Sequence, residues 1–328
     1  MIDYYNWFIK IYKNGALMDP YEQFNEQLKT AAEEFRNVDK KEVIRLVSHL
    51  DADGISACAI LIKLLNNDNR KYSVSIVQQL NKAMISQLAS EPYNCFIFTD
   101  IGSGVMNDIK GMLKGRKVFV LDHHSTEENE AEGIVFVNPH TCGIDGGKEI
   151  SGAGVVFKFA CAVDKSMEEL AHIAIIGAIG DLQEQNGFLK LNEEVLRIAV
   201  EKGKIKVIKG LRLFGTQTKP LHKALEYCTD PYIPGVSGSE SGAIQFLHQV
   251  GIEPKNGNGW KKIVHLDEED MKRLVTGIIM KRLNESNPDD VLGNVYILPH
   301  EEEESPTRDA KEFATLLNAC GRLGKASY

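Results

Sequence analysis

The sequence predicts an α/β fold built on a parallel sheet. Three observations predict it: short apolar runs, helical segments between them, and acids or histidines placed directly after several of the runs. Residues 20–35 read as a helix, with apolar positions mixed among Glu, Gln and Lys. Residues 43–47 (Val-Ile-Arg-Leu-Val) read as the first strand, and Gly54 marks a turn after it. Residues 55–65 are apolar nearly all round and read as a helix. Residues 72–77 alternate and carry β-branched side chains. Residues 96–99, 118–121 and 135–137 are further short apolar runs, the buried-strand pattern. Helices over 82–88, 105–113, 154–163 and 167–179 separate several of these runs. Strands alternating with helices imply βαβ units and a sheet covered on both faces.

A helix over 192–202 leads into a run without acids. From Lys202 to Lys223 it holds Lys202, Lys204, Lys206, Lys209, Arg212, Lys219 and Lys223. The plain reading is a solvated surface segment; the functional reading is a strip that tracks phosphates. Pro231, Pro234, Gly235, Gly238 and Gly242 then punctuate a loop region, the expected end of the first domain. Helices over 241–250 and 267–283, a strand-like run over 295–298 and a helix over 310–317 follow. The expected organisation is an N-terminal helical segment (1–38), a catalytic domain (39–230), a helical linker or insertion (231–285) and the start of a smaller C-terminal α/β domain (286–328). Gly321-Arg322-Leu323-Gly324 stands close to the last residue, Tyr328, so this second domain is expected to be truncated.

Length and composition bound the function. At 328 residues, with 43% hydrophobic and 26% charged positions, the chain suits about two globular domains. No apolar run approaches the ~18 residues of a membrane span. The N-terminus lacks the basic head and clean apolar block of a secretory signal. Cys58, Cys95, Cys142, Cys161, Cys228 and Cys320 are scattered without a CxxC pair, the pattern of reduced, buried thiols in a cytoplasmic protein. The net charge of −8 argues against a general DNA-coating protein, although it averages over local patches. Tyr4, Tyr5, Trp7, Phe8 and Tyr12 could stack on bases but suit helix packing better. His140, His172, His222, His248 and His265 have no metal-like partners at recognisable spacing.

Four segments place hard ligands where elements end. His49, Asp51 and Asp53 follow the first strand, Asp100 follows residues 96–99, Asp122-His123-His124 follow residues 118–121, and Asp181 ends the helix over 174–180. In an open α/β sheet, ligands bind beyond the carboxyl ends of the strands. Crowded carboxylates resist ionising unless positive charge is supplied. So many acids and imidazoles therefore suit two divalent cations better than a lone general acid and base. Mixed Asp/His ligation without thiolate suits Mn²⁺, with Mg²⁺ or Co²⁺ as alternatives. Two metals ~3.5–4 Å apart can clamp a phosphoryl oxygen and hold a hydroxide between them. Each piece alone has a bland explanation, such as a turn or helix cap for Asp53-Gly54. Their ordered co-occurrence does not.

His49-x-Asp51-x-Asp53-Gly54, Asp100, Asp122-His123-His124 and Asp181 resemble the four motifs of the DHH phosphoesterase superfamily. Ser151-Gly152-Ala153-Gly154, Gly177-Ala178-Ile179-Gly180-Asp181 and Leu317-Asn318-Ala319-Cys320-Gly321-Arg322 resemble its archaeal RecJ-like nucleases. The resemblance implies that His49, Asp51 and Asp100 hold one metal. It implies that Asp53, Asp100, His123 and Asp181 hold the other, with Asp100 bridging. His124 would face the scissile phosphate, and Asp122 would orient a ligating histidine. Asn318, Gly321, Arg322 and, more loosely, Arg308 would bind the substrate backbone from the second domain.

The resemblance further implies a Mn²⁺-dependent single-strand exonuclease of DNA replication or repair. It would run 5′ to 3′ on DNA, with RNA an open substrate and a metal-bridging hydroxide as nucleophile. The GINS complex and the replicative helicase are the partners it suggests. A phosphodiesterase for short oligonucleotides or small nucleotides is the first alternative, although the basic run favours a longer substrate. A replisome scaffold that has no use for the chemistry is the second, and the filled ligand positions argue against it.

Overall fold

In the computed structural model the described residues are 12–13, 16–126, 133–185, 187–257 and 259–326. Tyr4, Tyr5, Trp7, Phe8 and the Tyr12 side chain lie outside the described residues. The chain divides into two compact units, residues 1–202 with 317–328, and residues 203–316.

The first unit is built on five parallel strands: β1 (Ile44–His49), β2 (Tyr72–Val77), β3 (Cys95–Thr99), β4 (Lys117–Leu121) and β5 (Ile134–Val137). Their order across the sheet is β2-β1-β3-β4-β5. Strand β3 is buried along its whole length and β4 nearly so, which is why both read as continuous apolar runs. The chain runs from β1 to β2 on one side of it, then crosses back to β3 on its other side. A crevice opens at such a switch point, beyond the carboxyl ends of the strands.

Helices cover both faces. Helix α1 (Pro20–Arg36) starts where the Asp19 carboxylate accepts from the Tyr21 and Glu22 amides, with Pro20 in its first turn. It buries Phe24, Leu28, Ala31, Ala32 and Phe35, a stripe at helical spacing. Phe35 meets Phe119 of β4 edge-on at 6.2 Å and Phe159 at 5.7 Å. The same layer holds α2 (Ala52–Asn67). On the other face α3 (Lys82–Ser90) and α4 (Met106–Met112) bury Ile85, Leu88 and Ile109 against Val47, Phe96, Phe98, Val118 and Val120. Helices α5 (Gly152–Val163), α6 (Ala171–Gly180) and α7 (Lys190–Glu201) follow. The continuous helix expected over 167–179 is divided. Asp164 caps the Ser166 amide at 2.9 Å and opens a tighter 3₁₀ stretch, Lys165–Leu170, before α6 begins.

In the second unit β6 (Lys206–Leu211) pairs antiparallel with β7 (Leu292–Ile297). Helices α8 (Leu221–Glu226), α9 (Glu240–Gln249) and α10 (Glu268–Lys281) bury Leu225, Phe246, Leu247, Leu274 and Ile278 in one core. Sequence reading found no strand at β6, because Lys206, Val207, Ile208 and Lys209 are all exposed and show no inside–outside alternation. Pairing with β7 groups residues 203–230 with the second unit, whereas the sequence placed the boundary near Pro231. The last helix, α11 (Ala310–Arg322), extends beyond the expected 310–317, and the division between units falls inside it. Asn318, Gly321 and Arg322 consequently group with the first unit.

Among the described residues no helix is long and apolar enough to cross a membrane. All six cysteines are free; Cys58, Cys95, Cys142 and Cys228 are buried, and Cys161 and Cys320 are half-buried.

Candidate metal centre

His49 ends β1, Asp51 caps α2 and Asp53 lies in its first turn. Asp100 follows β3, Asp122-His123-His124 follow β4, and Asp181 caps the end of α6. The fold brings these residues into overlapping groups whose ligand atoms lie within 4.8 Å of one another: His49/Asp51/Asp100, Asp53/His123/Asp181 and Asp100/His123/His124. His49 Nδ1 is 2.9 Å from Asp51 Oδ2 and 3.6 Å from Asp100 Oδ2. His123 Nε2 is 3.3 Å from both Asp100 Oδ1 and Asp181 Oδ2, and 3.7 Å from Asp53 Oδ2. Asp100 therefore presents one carboxylate oxygen to each side. Its φ of 57° lies in the left-handed region, uncommon for a side chain other than glycine.

Neighbours orient His123 and Asp53. His123 Nδ1 lies 2.7 Å from the Gly146 carbonyl. A carbonyl can only accept, so Nδ1 carries the proton and Nε2 faces the carboxylates. Gln183 donates to the same carbonyl at 3.0 Å and accepts from Asn192 at 2.6 Å, a buried relay behind His123. Asp53 is fully buried and accepts from the Gly152 amide at 2.6 Å and the Ala153 amide at 3.0 Å, the first turn of α5. Helix N-termini favour such an anion. A Cβ on Gly152 would lie 2.3 Å from Asp100 Oδ1, so only glycine fits between the two acids.

Asp122 is absent from the ligand groups and holds the motif itself. Its Oδ1 accepts from the His123 amide at 2.8 Å and pairs with His124 Nδ1 at 2.8 Å, and its Oδ2 accepts from the Ser103 amide at 2.9 Å. Asn138 donates to the His124 carbonyl and the Ser103 hydroxyl, both at 2.9 Å. The His124 side chain is 54% exposed, so its free edge can reach a bound molecule.

The donor set fits divalent cations. Both carboxylate oxygens of Asp100 and His123 Nε2 are buried with no hydrogen-bond partner among the described residues. Orphaned buried polar atoms are costly, and metal ligation satisfies them. Without an ion the electrostatics are frustrated. Burial, then the Asp100 and Asp181 charges, push Asp53 well above the usual carboxylate range. Burial and Asp100 raise Asp181 to about 6 against the lowering effect of His123. The adjoining Asp100 and Asp51 carboxylates hold His49 up at about 10. Burial alone would lower His123 and raise Asp122; the surrounding acids raise His123 instead, and His124, His123 and the Ser103 amide hold Asp122 low.

The remaining site candidates separate. Arg322 is exposed in the first unit. Asn318 accepts from the Ala52 amide at 2.8 Å, and Gly321 packs on Leu50. Arg308 lies in the second unit and donates through Nη1 to the Leu298, Pro299 and Glu301 carbonyls at 2.7–3.2 Å. That commitment makes it a staple of its own loop. In the basic run, Lys202 pairs with Glu168 and Glu169, Lys223 pairs with Glu226 and Glu240, and Arg212 donates to the Asp290 carbonyl. Lys206 and Lys209 are exposed on β6.

Sequence reasoning missed Gly146, Gln183, Asn192, Ser103 and Asn138. Their signal is a backbone carbonyl or a neutral amide at long sequence separation, which no ligand pattern marks.

The DHH family, N-terminal domain, matches residues 43–180, and the DHH-CID domain matches residues 213–295. Protein MJ0831 of Methanocaldococcus jannaschii, whose function is uncharacterised, is 34% identical over 287 residues, covering 86% of this chain and 61% of that protein. A Bacillus subtilis prophage-derived protein named as a single-strand DNA-specific exonuclease, YorK, is 24% identical over 192 residues, covering 52% of this chain and 33% of that one. This chain thus spans less than two thirds of either relative. The crystal structure of CDC45 from Entamoeba histolytica superposes with a TM-score of 0.65 at 14% identity, over 90% of this chain and 63% of that one, and shares the fold. With the motif residues gathered at the switch point of the sheet and both domain families matched in order, the chain belongs to the DHH superfamily, carrying a DHH domain followed by a DHH-CID domain.

Proposed function

We propose that the chain is a Mn²⁺-dependent exonuclease for single-stranded nucleic acid that hydrolyses phosphodiesters at a two-ion centre. The observation that carries this reading is the sharing of buried Asp100 between two ligand groups. Bound divalent ions lower the pKa of water and draw charge from phosphoryl oxygens. His49, Asp51 and Asp100 would hold one ion; Asp53, Asp100, His123 and Asp181 would hold the other. Carboxylate and imidazole donors without thiolate suit Mn²⁺, with Mg²⁺ or Co²⁺ as alternatives. His124, held through Nδ1 by Asp122, turns its other edge toward the phosphate and stabilises charge as the bond breaks. Exposed Arg322 supplies a phosphate contact, and exposed Lys206 and Lys209 attract a polyanion. The name carried by YorK supports a single strand as substrate. Polarity from 5′ to 3′, a role in replication or repair, and the GINS complex and replicative helicase as partners belong to this same reading.

The test is digestion of a single-stranded DNA oligonucleotide labelled at either end, with and without Mn²⁺, beside the Asp181→Ala variant. The expected result is metal-dependent shortening from the 5′ end, lost in the variant. RNA, a dinucleotide and pyrophosphate run in parallel. Cleavage of the dinucleotide alone would replace the proposal with a small-nucleotide phosphodiesterase, and no hydrolysis of any substrate by the Mn²⁺-bound protein would leave the scaffold reading.

A further inference from the structure

The first turn of a helix leaves backbone N–H groups without partners in the helix itself. In α2, which carries Asp53 and is capped by Asp51, the cap side chain serves one of them: Asp51 Oδ1 accepts from the Gly54 amide at 2.9 Å. The Ala52 amide is served from 266 positions away, by Asn318 Oδ1 at 2.8 Å. One turn further along α11, Gly321 is buried against the same loop, and a Cβ there would lie 1.8 Å from the Leu50 carbonyl oxygen. The residues on both sides of Asp51 are therefore gripped by one face of one helix: the Leu50 carbonyl by close packing, the Ala52 amide by a hydrogen bond. His49 and Asp53 flank that pair directly.

The helical end of this loop is fixed separately, by the Ile55 amide donating to the Asp51 carbonyl at 2.9 Å and the Ser48 hydroxyl donating to the Gly54 carbonyl at 2.7 Å; Asn318 and Gly321 hold the Leu50–Ala52 stretch. Asp51 is partly exposed, and its Oδ2 faces His49 Nδ1 at 2.9 Å. Rotation of the peptide units between Leu50 and Ala52 would swing Asp51 away from Asp100 and pull the start of α2 against the Gly152 and Ala153 amides that hold Asp53. Partners one layer behind metal ligands commonly set ligand orientation and with it metal affinity.

We infer that Asn318 and Gly321 are positioning residues for the metal-binding loop, with the Asn318 carboxamide oxygen fixing Asp51 and Asp53 through the Ala52 amide. This rests on the metal-centre reading above. It gives Asn318 a task on the protein's own backbone in place of the substrate contact that the resemblance implies.

Mn²⁺ titration followed by electron paramagnetic resonance, without nucleic acid, tests it on the whole chain. Asn318→Ala is expected to weaken Mn²⁺ binding about 10-fold. Asn318→Asp keeps an acceptor oxygen and is expected to bind close to the unsubstituted level. Hydrolysis by Asn318→Ala should recover as Mn²⁺ is raised. Hydrogen exchange on the unsubstituted protein gives a readout independent of any variant: the Ala52 amide is expected to be protected, unusual at a helix's first position. Unchanged Mn²⁺ affinity in Asn318→Ala with a raised KM for oligonucleotide would overturn the inference alone and make Asn318 a substrate contact. Rapid exchange at Ala52 would overturn it as well. Failure of the unsubstituted protein to bind Mn²⁺ would overturn the metal-centre reading and this inference with it.

Discussion

Asp100 faces His49 through Oδ2 at 3.6 Å and His123 through Oδ1 at 3.3 Å, in a backbone conformation that residues other than glycine seldom adopt. Such strain persists where the surroundings hold it in place, and it concentrates at functional sites. Asp100→Asn removes one charge from a crowded, buried set. The metal-free variant should melt no lower than the unsubstituted protein, while the stabilisation by Mn²⁺, about 2.7 kcal/mol at a hundredfold excess over Kd, disappears. Thermal melts with and without Mn²⁺ check both halves. His124 predicts a different outcome: although it groups with Asp100 and His123, its side chain is half-exposed and its Nδ1 is committed to Asp122. His124→Ala should lower kcat by about 10²–10³-fold while leaving Mn²⁺ affinity within a factor of a few. Steady-state kinetics beside a metal titration separate the two. That these Asp and His residues would gather in one place was legible in the sequence, because such residues at consecutive strand ends have few other reasons to recur. Their supports were not. Asn192 acts through Gln183 on a backbone carbonyl, and nothing in the local sequence around either residue points to His123.

At the scale of elements, buried aromatic contacts and a buried carboxyl carry the testable content. Phe35 closes α1 onto Phe119 and Phe159 and is fully buried. Phe35→Ala should destabilise the first unit by about 3–5 kcal/mol, read from denaturant unfolding. Asp309 sits immediately before α11, where its Oδ1 accepts from the Lys311 amide at 2.8 Å and the Glu312 amide at 3.2 Å. Burial, with the Glu312 charge adding to it, raises this carboxyl to about 6. A folded-state pKa above the unfolded value means that the native protein holds the proton longer. Stability therefore falls as pH rises from about 4 to about 6, then stays at the lower level. Asp309→Asn keeps the acceptor and removes the charge, so it should raise stability on the order of 1–2 kcal/mol at pH 7.5 and change it little near pH 4. Melting curves at the two pH values check the sign. Among the elements, α1 and the buried strands were legible because burial imposes a period on them. Strand β6 was hidden because four consecutive residues on it are exposed, and only its distant partner β7 makes it a strand.

For the whole molecule, topology explains why one chain can gather carboxylates and imidazoles from four segments. The strand order β2-β1-β3-β4-β5 puts the ends of β1, β3 and β4 side by side, and α2 and α6 deliver Asp53 and Asp181 to the same place. Repeated strand–helix alternation made that sheet legible in advance. The return of residues 317–328 to the first unit was not legible, because no local pattern reports which unit a helix's last turn will join. The central claim is that this place holds two divalent ions with Asp100 between them. Anomalous diffraction from crystals grown with Mn²⁺ tests it most directly. The account predicts two peaks ~3.5–4 Å apart, one beside His49 and Asp51 and the other beside Asp53, His123 and Asp181, with Asp100 touching both. A single peak, or none at these residues while the protein is folded, would contradict it.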